Sequence, residues 1–338
     1  MLLGDSLGSF DFAQDDSRAI LTLSFVICLM ETLRSVSELS RLQDPLFLAI
    51  GVFDGVHLGH KAVISTSAEH AQAVSGTPVV VTFDPHPEKI LRPDKAPHLL
   101  TATPHKIALI RALGVRHLLI ISFDKHFAAT EPEDFVQQLV QHSKLLREIC
   151  VGHEWSFGRN RRGNLQLLEK LGAEFDFNVV GIPPVTVNGE IVSSTKVRRA
   201  IEAGDLKKAA SMLGREYTIL GTVVHGDDLG KKIGFPTANL SAHSEQFPPN
   251  GVYFAEASLD GVVYPGVVNL GYRPTVSSER SYRILEVYLL DFNRNVYGKD
   301  LELRFIRYLR PEKKFENVDA LVRQIECDVQ QARELAGV

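Results

Sequence analysis

The chain has 338 residues, 44% of them hydrophobic and 23% charged, with a formal net charge of −4; this is ordinary globular material, long enough for two cores. The balance holds no basic excess of the kind that sequence-independent nucleic-acid or anionic-membrane binding needs, so neither is expected as a partner. Cys28, Cys150 and Cys327 are odd in number, widely spaced and without a C-x-x-C, which argues against a disulfide framework or a zinc site and fits a reducing cytoplasm.

Residues 1–29 differ from the rest. Ser9 to Asp16 is acidic and aperiodic, and the apolar run from Ile20 to Met30 is too short to span a membrane. No positive n-region precedes it, as a signal peptide would require. The expectation is an extension that is dispensable or foreign to the natural product, with an ordered N-terminal arm as the alternative.

A continuous apolar run at 46–50 suits a strand buried on both faces of a parallel sheet. A glycine turn follows, and Phe53-Asp54-Gly55-Val56-His57-Leu58-Gly59-His60 sets two imidazoles three residues apart at the mouth of a helical segment, 61–74. A helix N-terminus offers unpaired N–H groups and a positive dipole end, which suit a polyphosphate. Gly55 and Gly59 let backbone approach closely, and the two His can donate to oxygens whose charge grows during reaction.

Residues 78–83 form a β-branched strand ending in Asp84-Pro85-His86-Pro87, a rigid turn at the sheet end where open α/β folds bind ligands. A helix at 103–113, a stop at Gly114 and a strand at 117–123 follow. Thr130-Glu131-Pro132-Glu133 has capping-box spacing, and Phe135, Val136, Leu139 and Val140 recur at helical intervals behind it. Residues 149–152 make the next strand. It delivers a loop, 152–163, in which Arg159, Arg161 and Arg162 between glycines read as mobile and cationic; a fifth strand spans 178–182. Repeated strand–helix alternation implies a parallel, right-handed, doubly wound sheet. In Ser193-Ser194-Thr195-Lys196-Val197-Arg198-Arg199, hydroxyls head a helix whose first turns are basic, an arrangement better explained by a docking polyphosphate than by an N-cap alone. Two short helices broken at Gly204-Asp205 close the first unit.

From Tyr217 the texture becomes short β-rich runs at 217–224, 251–259, 262–270, 282–292 and 301–309, with Asp260-Gly261 as a hairpin turn. Five or six such strands suggest a small closed barrel, followed by an amphipathic helix at 318–335. Gly226-Asp227-Asp228-Leu229-Gly230-Lys231-Lys232-Ile233-Gly234-Phe235-Pro236-Thr237-Ala238-Asn239 is neither a Walker P-loop nor a dinucleotide fingerprint. Its glycines leave room for phosphates. Thr237 and Asn239, alternate residues of an extended segment, offer two neutral oxygens that suit Mg²⁺. Period-2 alternation puts Glu286 and Tyr288 on the face opposite Leu285, Val287 and Leu289.

These motifs resemble the bacterial bifunctional riboflavin kinase/FAD synthetase family over about residues 46–332. The resemblance implies a Rossmann-like nucleotidyltransferase domain followed by a β-barrel kinase domain, with boundaries at 30–214 and 215–338. In the first domain it implies His57 and His60 as catalytic groups and ATP contacts from Gly51, Phe53, Asp54, Gly55, Ser194, Thr195 and Arg198. It assigns the flavin side to Asp84, His86, Glu154 and Arg161. Glu154 stands where the family usually has Asp or Asn. In the second domain GFPTAN implies Gly226, Gly230, Lys231, Gly234, Phe235 and Pro236 around ATP, Thr237 and Asn239 on Mg²⁺, and Glu286 as the base on the ribityl hydroxyl. Tyr288 often corresponds to a His, and Lys231 stands where Arg is commoner, making its phosphate contact a point charge.

The implied activity is ATP-dependent phosphorylation of riboflavin to FMN, then adenylyl transfer from ATP giving FAD and pyrophosphate, in the cytoplasm. The alternatives are a riboflavin kinase with a degenerate first domain and a non-enzymatic flavin-nucleotide carrier. An aminoacyl-tRNA synthetase, which also uses H-x-G-H, is disfavoured by the lack of a basic surface. Oligomeric state stays open, weak self-association included.

Overall fold

The computed structural model describes residues 30–226, 229–243, 246–273 and 282–338. The expectation for residues 1–29, and Asp227 and Asp228, lie outside the described residues. Strands β1 (Glu31–Leu33), β2 (Leu46–Ile50), β3 (Thr77–Asp84), β4 (His117–Ser122), β5 (Leu146–Gly152) and β6 (Asn178–Ile182) form one sheet in the order β1-β4-β3-β2-β5-β6. Every pair is parallel. The crossovers are α1 (Leu58–Ala73), α3 (Thr103–Arg111), α5 (Pro132–His142) and α6 (Leu165–Phe175), with short helices α2 (Pro87–Leu91) and α4 (Lys125–Ala128) in the connections. Alternate strand residues feed two cores, one per face. Ala49, Val80, Leu118 and Cys150 pack with Val63 and Ile64 of α1 and Ile110 of α3. Leu48, Val81, Leu119 and Ile149 pack with Phe135 of α5 and Leu168 of α6. This is the doubly wound sheet expected, and all five residues of β2 are buried. Strand order reverses between β2 and β5, so the H-x-G-H loop leaves β2 at the switch point where such sheets bind ligands.

Two local expectations are corrected. Thr130 does not open a capping box: Glu131 is the N-cap of α5 and its side chain makes no capping bond. Pro132 occupies N1, where its fixed φ starts the helix and a missing N–H is harmless. The 152–163 loop presents less free positive charge than expected. Phe157 and Gly163 exchange backbone hydrogen bonds of 3.0 and 2.8 Å. Arg162 binds Glu131 and Glu133, and Arg159 lies 3.4 Å from Glu131, so two of the three guanidinium charges are spent on α5.

After a hairpin of β7 (Thr186–Val187) and β8 (Glu190–Ile191), the expected short helices are α7 (Ser194–Glu202) and α8 (Leu206–Leu213). The barrel then closes in the order β10-β13-β12-β11-β14-β9 from β9 (Thr218–Val224), β10 (Ala238–Ala242), β11 (Gly251–Leu259), β12 (Val262–Arg273), β13 (Tyr282–Leu289) and β14 (Asp300–Arg310). At the β11–β12 turn Asp260 and Gly261 have φ of 51° and 83°, the left-handed pair that a two-residue hairpin needs. The amphipathic α10 (Val318–Ala336) lies on the outer face, where Ala332 packs with Val252, Phe254, Val267 and Leu290. Arg310 of β14 holds it there through bonds of 2.7 to 3.0 Å to the buried carboxylate of Asp328.

The barrel's core does not stop at the barrel. Val197, Ala200 and Ile201 of α7, Met212 and Leu213 of α8, and Leu100 from the first unit belong to one cluster with Ile219, Leu240, Tyr253, Val287 and Phe305.

Candidate active sites

His57 is the N-cap of α1, its Nδ1 accepting the His60 N–H at 3.3 Å. Accepting at Nδ1 puts the imidazole proton on Nε2, which is then free to donate. The His60 ring stacks on His57 at a centroid distance of 3.6 Å and meets the edge of the buried Phe53 at 5.3 Å. Gly51 leaves room for that Phe53 ring, because a Cβ there would lie 2.7 Å from its Cε1. Gly55 adopts φ 86°, which a side chain would strain.

Burial, aided by the Arg198 and Arg215 charges and opposed by Asp54, pushes the His57 pKa down to about 4. Burial also lowers His60 well below the usual range, with His57, Lys106 and Arg198 adding to the effect. Both imidazoles are neutral donors at pH 7, and His60 Nδ1 is buried without a partner among the described residues.

A group depressed on folding lets the unfolded chain take up protons first, so stability present above about pH 6.5 is lost as pH falls toward 4. For His57 the loss is on the order of 3 kcal/mol when complete. Asn caps helices without titrating. Thermal melts at pH 7.5 and pH 5 are therefore expected to show a smaller acid-induced drop for His57→Asn than for the native chain; equal drops would mean that His57 does not drive the acid sensitivity.

The opposite wall comes from α7. Ser193 caps that helix, accepting from Lys196 N at 3.3 Å, while Ser194 Oγ donates to Asp54 O at 3.0 Å. Asp54 lines the pocket but its carboxylate is engaged: it accepts from Leu100 N at 3.2 Å, Thr101 N at 2.9 Å and the Arg198 guanidinium. Arg198 also donates to His98 O at 2.7 Å. The basic first turns of α7 are thus partly neutralised at home, Lys196 lying 3.8 Å from Glu190. What remains is a cavity of about 350 Å³ between His60, His86, Ser194, Thr195 and Arg198.

A second cavity of about 340 Å³ adjoins it, and Val52, His86 and Glu88 line both. Its walls are aromatic: Phe83, Phe123, Phe127 and a Trp155–Phe157 stack at 4.4 Å, with Glu154 and Arg161 at the rim. Arg161 Nε donates to Ser156 Oγ at 2.8 Å. An apolar slot beside a phosphate-sized pocket fits a flat ring system carrying a phosphate tail. Asp84 lines neither cavity; it accepts from Thr103 Oγ1 at 2.6 Å, at the first residue of α3. Sequence reading missed Lys106 at the sheet end, because a lysine inside a helical stretch carries no local sign of burial.

The barrel holds a third cavity, of about 540 Å³, between its outer face, the α9 (Leu229–Lys232) segment and α10. Asn239 of β10, Glu286 of β13 and Asn269 of β12 stand in register on three neighbouring strands, and all three line the cavity with Thr237. Asn269 is a second residue not anticipated; only the register across β12 and β13 reveals it. Lys231, Phe235 and Pro236 are in the wall. Gly226 and Gly230 are packed against the chain's own side chains and backbone. A Cβ on Gly226 would collide with the Asn239 carboxamide, and one on Gly230 would meet Phe235 O and lie 2.9 Å from Thr237 Oγ1. They make room for the chain's own oxygen donors. Gly234 takes φ 89° beside open space and turns the chain out of α9.

The family profile described as FAD synthetase matches residues 40–196, and that described as riboflavin kinase matches residues 213–336. The bifunctional riboflavin kinase/FMN adenylyltransferase of Escherichia coli K12 is 37% identical over 311 residues, covering 91% of this chain and 99% of the relative. The chain belongs to the bifunctional riboflavin kinase/FMN adenylyltransferase family. The protein of the same name from Bacillus subtilis is 37% identical over 289 residues, 84% of this chain and 90% of that one. A solved structure described as a macrolide-efflux protein from Streptococcus pneumoniae superposes with a TM-score of 0.76 at 27% identity, covering 90% of this chain and 99% of that one. Among the described residues no helix is long and apolar enough to cross a membrane. Members of the riboflavin kinase/FMN adenylyltransferase family are transferases, and this chain has both modules, the adenylyltransferase on the parallel sheet and the kinase on the barrel.

Proposed function

We propose that the barrel module, residues 215–338, transfers the γ-phosphoryl of ATP to riboflavin, and that the sheet module, residues 30–214, transfers AMP from a second ATP to the resulting FMN. The observation that carries this reading is that each module brings its own cavity with the donor set its reaction needs. In the barrel, a ribityl hydroxyl attacks the γ-phosphorus, the bond to ADP breaks, and Glu286 accepts the hydroxyl proton. The oxygens of Thr237 and Asn239, beside the Glu286 carboxylate, are the hard donor set that suits Mg²⁺, and when bound the ion neutralises charge between the ATP phosphates. Gly230, Lys231, Gly234, Phe235 and Pro236 frame the nucleotide, and Gly226 supports Asn239.

In the sheet module an FMN phosphate oxygen attacks the α-phosphorus and pyrophosphate leaves. The neutral imidazoles of His57 and His60 donate to the developing charge; His60 lines the pocket with Ser194, Thr195 and Arg198, and His57 stacks on His60 without lining it. Gly51, Phe53, Asp54 and Gly55 shape the loop around ATP. The flavin ring occupies the aromatic slot with His86, Glu154 and Arg161; Asp84 contributes through the turn that carries His86. Substrates are ATP, riboflavin and FMN, the setting is the cytoplasm, and neither nucleic acid nor membrane is a partner.

Incubating the purified chain with riboflavin and MgATP and resolving flavins over time is expected to show FMN rising first and FAD following. FMN that never converts would leave a kinase with an idle first module, and tight flavin binding without turnover would leave a carrier.

A further inference from the structure

Lys106 is an expensive residue in its setting. It is 5% exposed, and its ammonium group donates to Val52 O at 3.0 Å, Thr82 Oγ1 at 3.3 Å and Phe83 O at 3.3 Å. Those are three neutral oxygens for three N–H donors, so the hydrogen bonds are satisfied while, among the described residues, no carboxylate touches the charge. Asp54 and Asp84 are the nearby anions, and they only partly offset a burial that drives its pKa down. Asp54 is bonded to Arg198 and Asp84 to Thr103, so neither is a dedicated counter-ion. A buried cation in that state is unfavourable unless something anionic arrives.

Its position says where the anion would arrive. The oxygens it grips belong to the segment leaving β2 and to the last residues of β3, the two central strands, at the ligand-binding end of the sheet. Val52 lines both first-module cavities and Phe83 the aromatic one. Lys106 itself lines neither; it stands behind the wall they share.

We propose that Lys106 is a positioning residue for adenylyl transfer, tying the ends of β2 and β3 together and placing a fixed positive charge behind the phosphate pocket formed by His60, His86 and Arg198. It acts through these groups and through the field at the pocket, without touching substrate. The field has a second effect. His60 is faced by His57 from its own helix, Lys106 from α3 and Arg198 from α7. His86 is faced by Lys106 and Arg198, opposed by Asp54 and Glu88. Lys106 thereby helps to keep both imidazoles unprotonated, in the donor–acceptor state that the pocket geometry uses.

The proposal rests on the reading that adenylyl transfer occurs in the His57–His60 pocket, so His60→Ala is assayed in parallel. Lys106→Met keeps the length and removes charge and hydrogen bonds; Lys106→Gln keeps hydrogen bonding without charge; Lys106→Arg keeps the charge. FAD formation from supplied FMN and ATP is expected to fall roughly tenfold or more in the Met and Gln variants, with the acid limb of the kcat/KM profile moved to higher pH. Lys106→Arg is expected to retain more activity than Lys106→Gln and to leave that limb in place. Riboflavin phosphorylation, measured on the same preparations, is expected to be unchanged and reports that the chain is folded. An unmoved acid limb with FAD formation within twofold of native in both neutral variants would overturn the proposal. So would loss of both activities in all three, which would make Lys106 a core tie only. Retention of FAD formation by His60→Ala would instead overturn the underlying placement of the reaction.

Discussion

Glu286→Gln is expected to slow the conversion of riboflavin to FMN by roughly two orders of magnitude or more, while FAD formation from supplied FMN continues. A primary alcohol is a poor nucleophile at neutral pH, so a positioned base matters even in the loose transition state of phosphoryl transfer. Glu286 has the right address for that role. Its strand turns Leu285, Val287 and Leu289 into the barrel core and Glu286 outward, and pairing puts it opposite Asn239 on one side and Asn269 on the other. Gln preserves shape and hydrogen bonding across that row, so a fall in rate would report the lost base and not a collapsed site. Both activities are read on one preparation. Near-native phosphorylation would remove Glu286 from the role of base, and loss of adenylylation as well would show that the two sites are not independent.

His57→Ala or His60→Ala is expected to abolish FAD formation and leave FMN formation largely intact. A donor aimed at developing phosphate charge in a water-poor site is worth about 3 kcal/mol or more, which is at least about a hundredfold in rate. The two variants differ in one respect. His57 also caps α1, so its loss removes an N-terminal acceptor worth about 1 kcal/mol, whereas His60 caps nothing. His60→Ala is accordingly the cleaner test of chemistry, and His57→Asn separates capping from donation. Equal loss of both activities in His60→Ala would mark these histidines as structural.

What could be read from the order of residues, and what could not, divides along sequence distance. The apolar run of β2, the Asp260-Gly261 turn and the outward Glu286 were legible because each depends on residues within a few positions. Thr130 misled for the same reason: the spacing of a capping box was present, but Pro132 and Glu131 set the helix start. β1, three residues long, and β10, whose pattern is broken by a polar outer face, owe their existence to partners elsewhere in the chain. The least legible features join distant positions. Asp54 meets Arg198 across 144 residues, so a residue expected at ATP also brackets α7. Arg159 and Arg162 looked available until Glu131 and Glu133 were brought alongside. The roles of Gly226 and Gly230 were likewise invisible until Asn239 and Thr237 were seen against them.

Helix α7 belongs to both halves of the molecule. One flank supplies Ser194 and Arg198 to the phosphate pocket, and the other supplies Val197, Ala200 and Ile201 to the core that fills the barrel. Opening the barrel would strip the apolar flank of α7 of its cover and loosen the wall of the other site, so unfolding of the barrel is expected to disable the adenylyltransferase pocket as well. For the cell this couples the fate of two products. Heat, proteolysis or a destabilising substitution in the barrel would withdraw FMN and FAD synthesis together, and a surviving half-enzyme that drains ATP into one step alone would not accumulate.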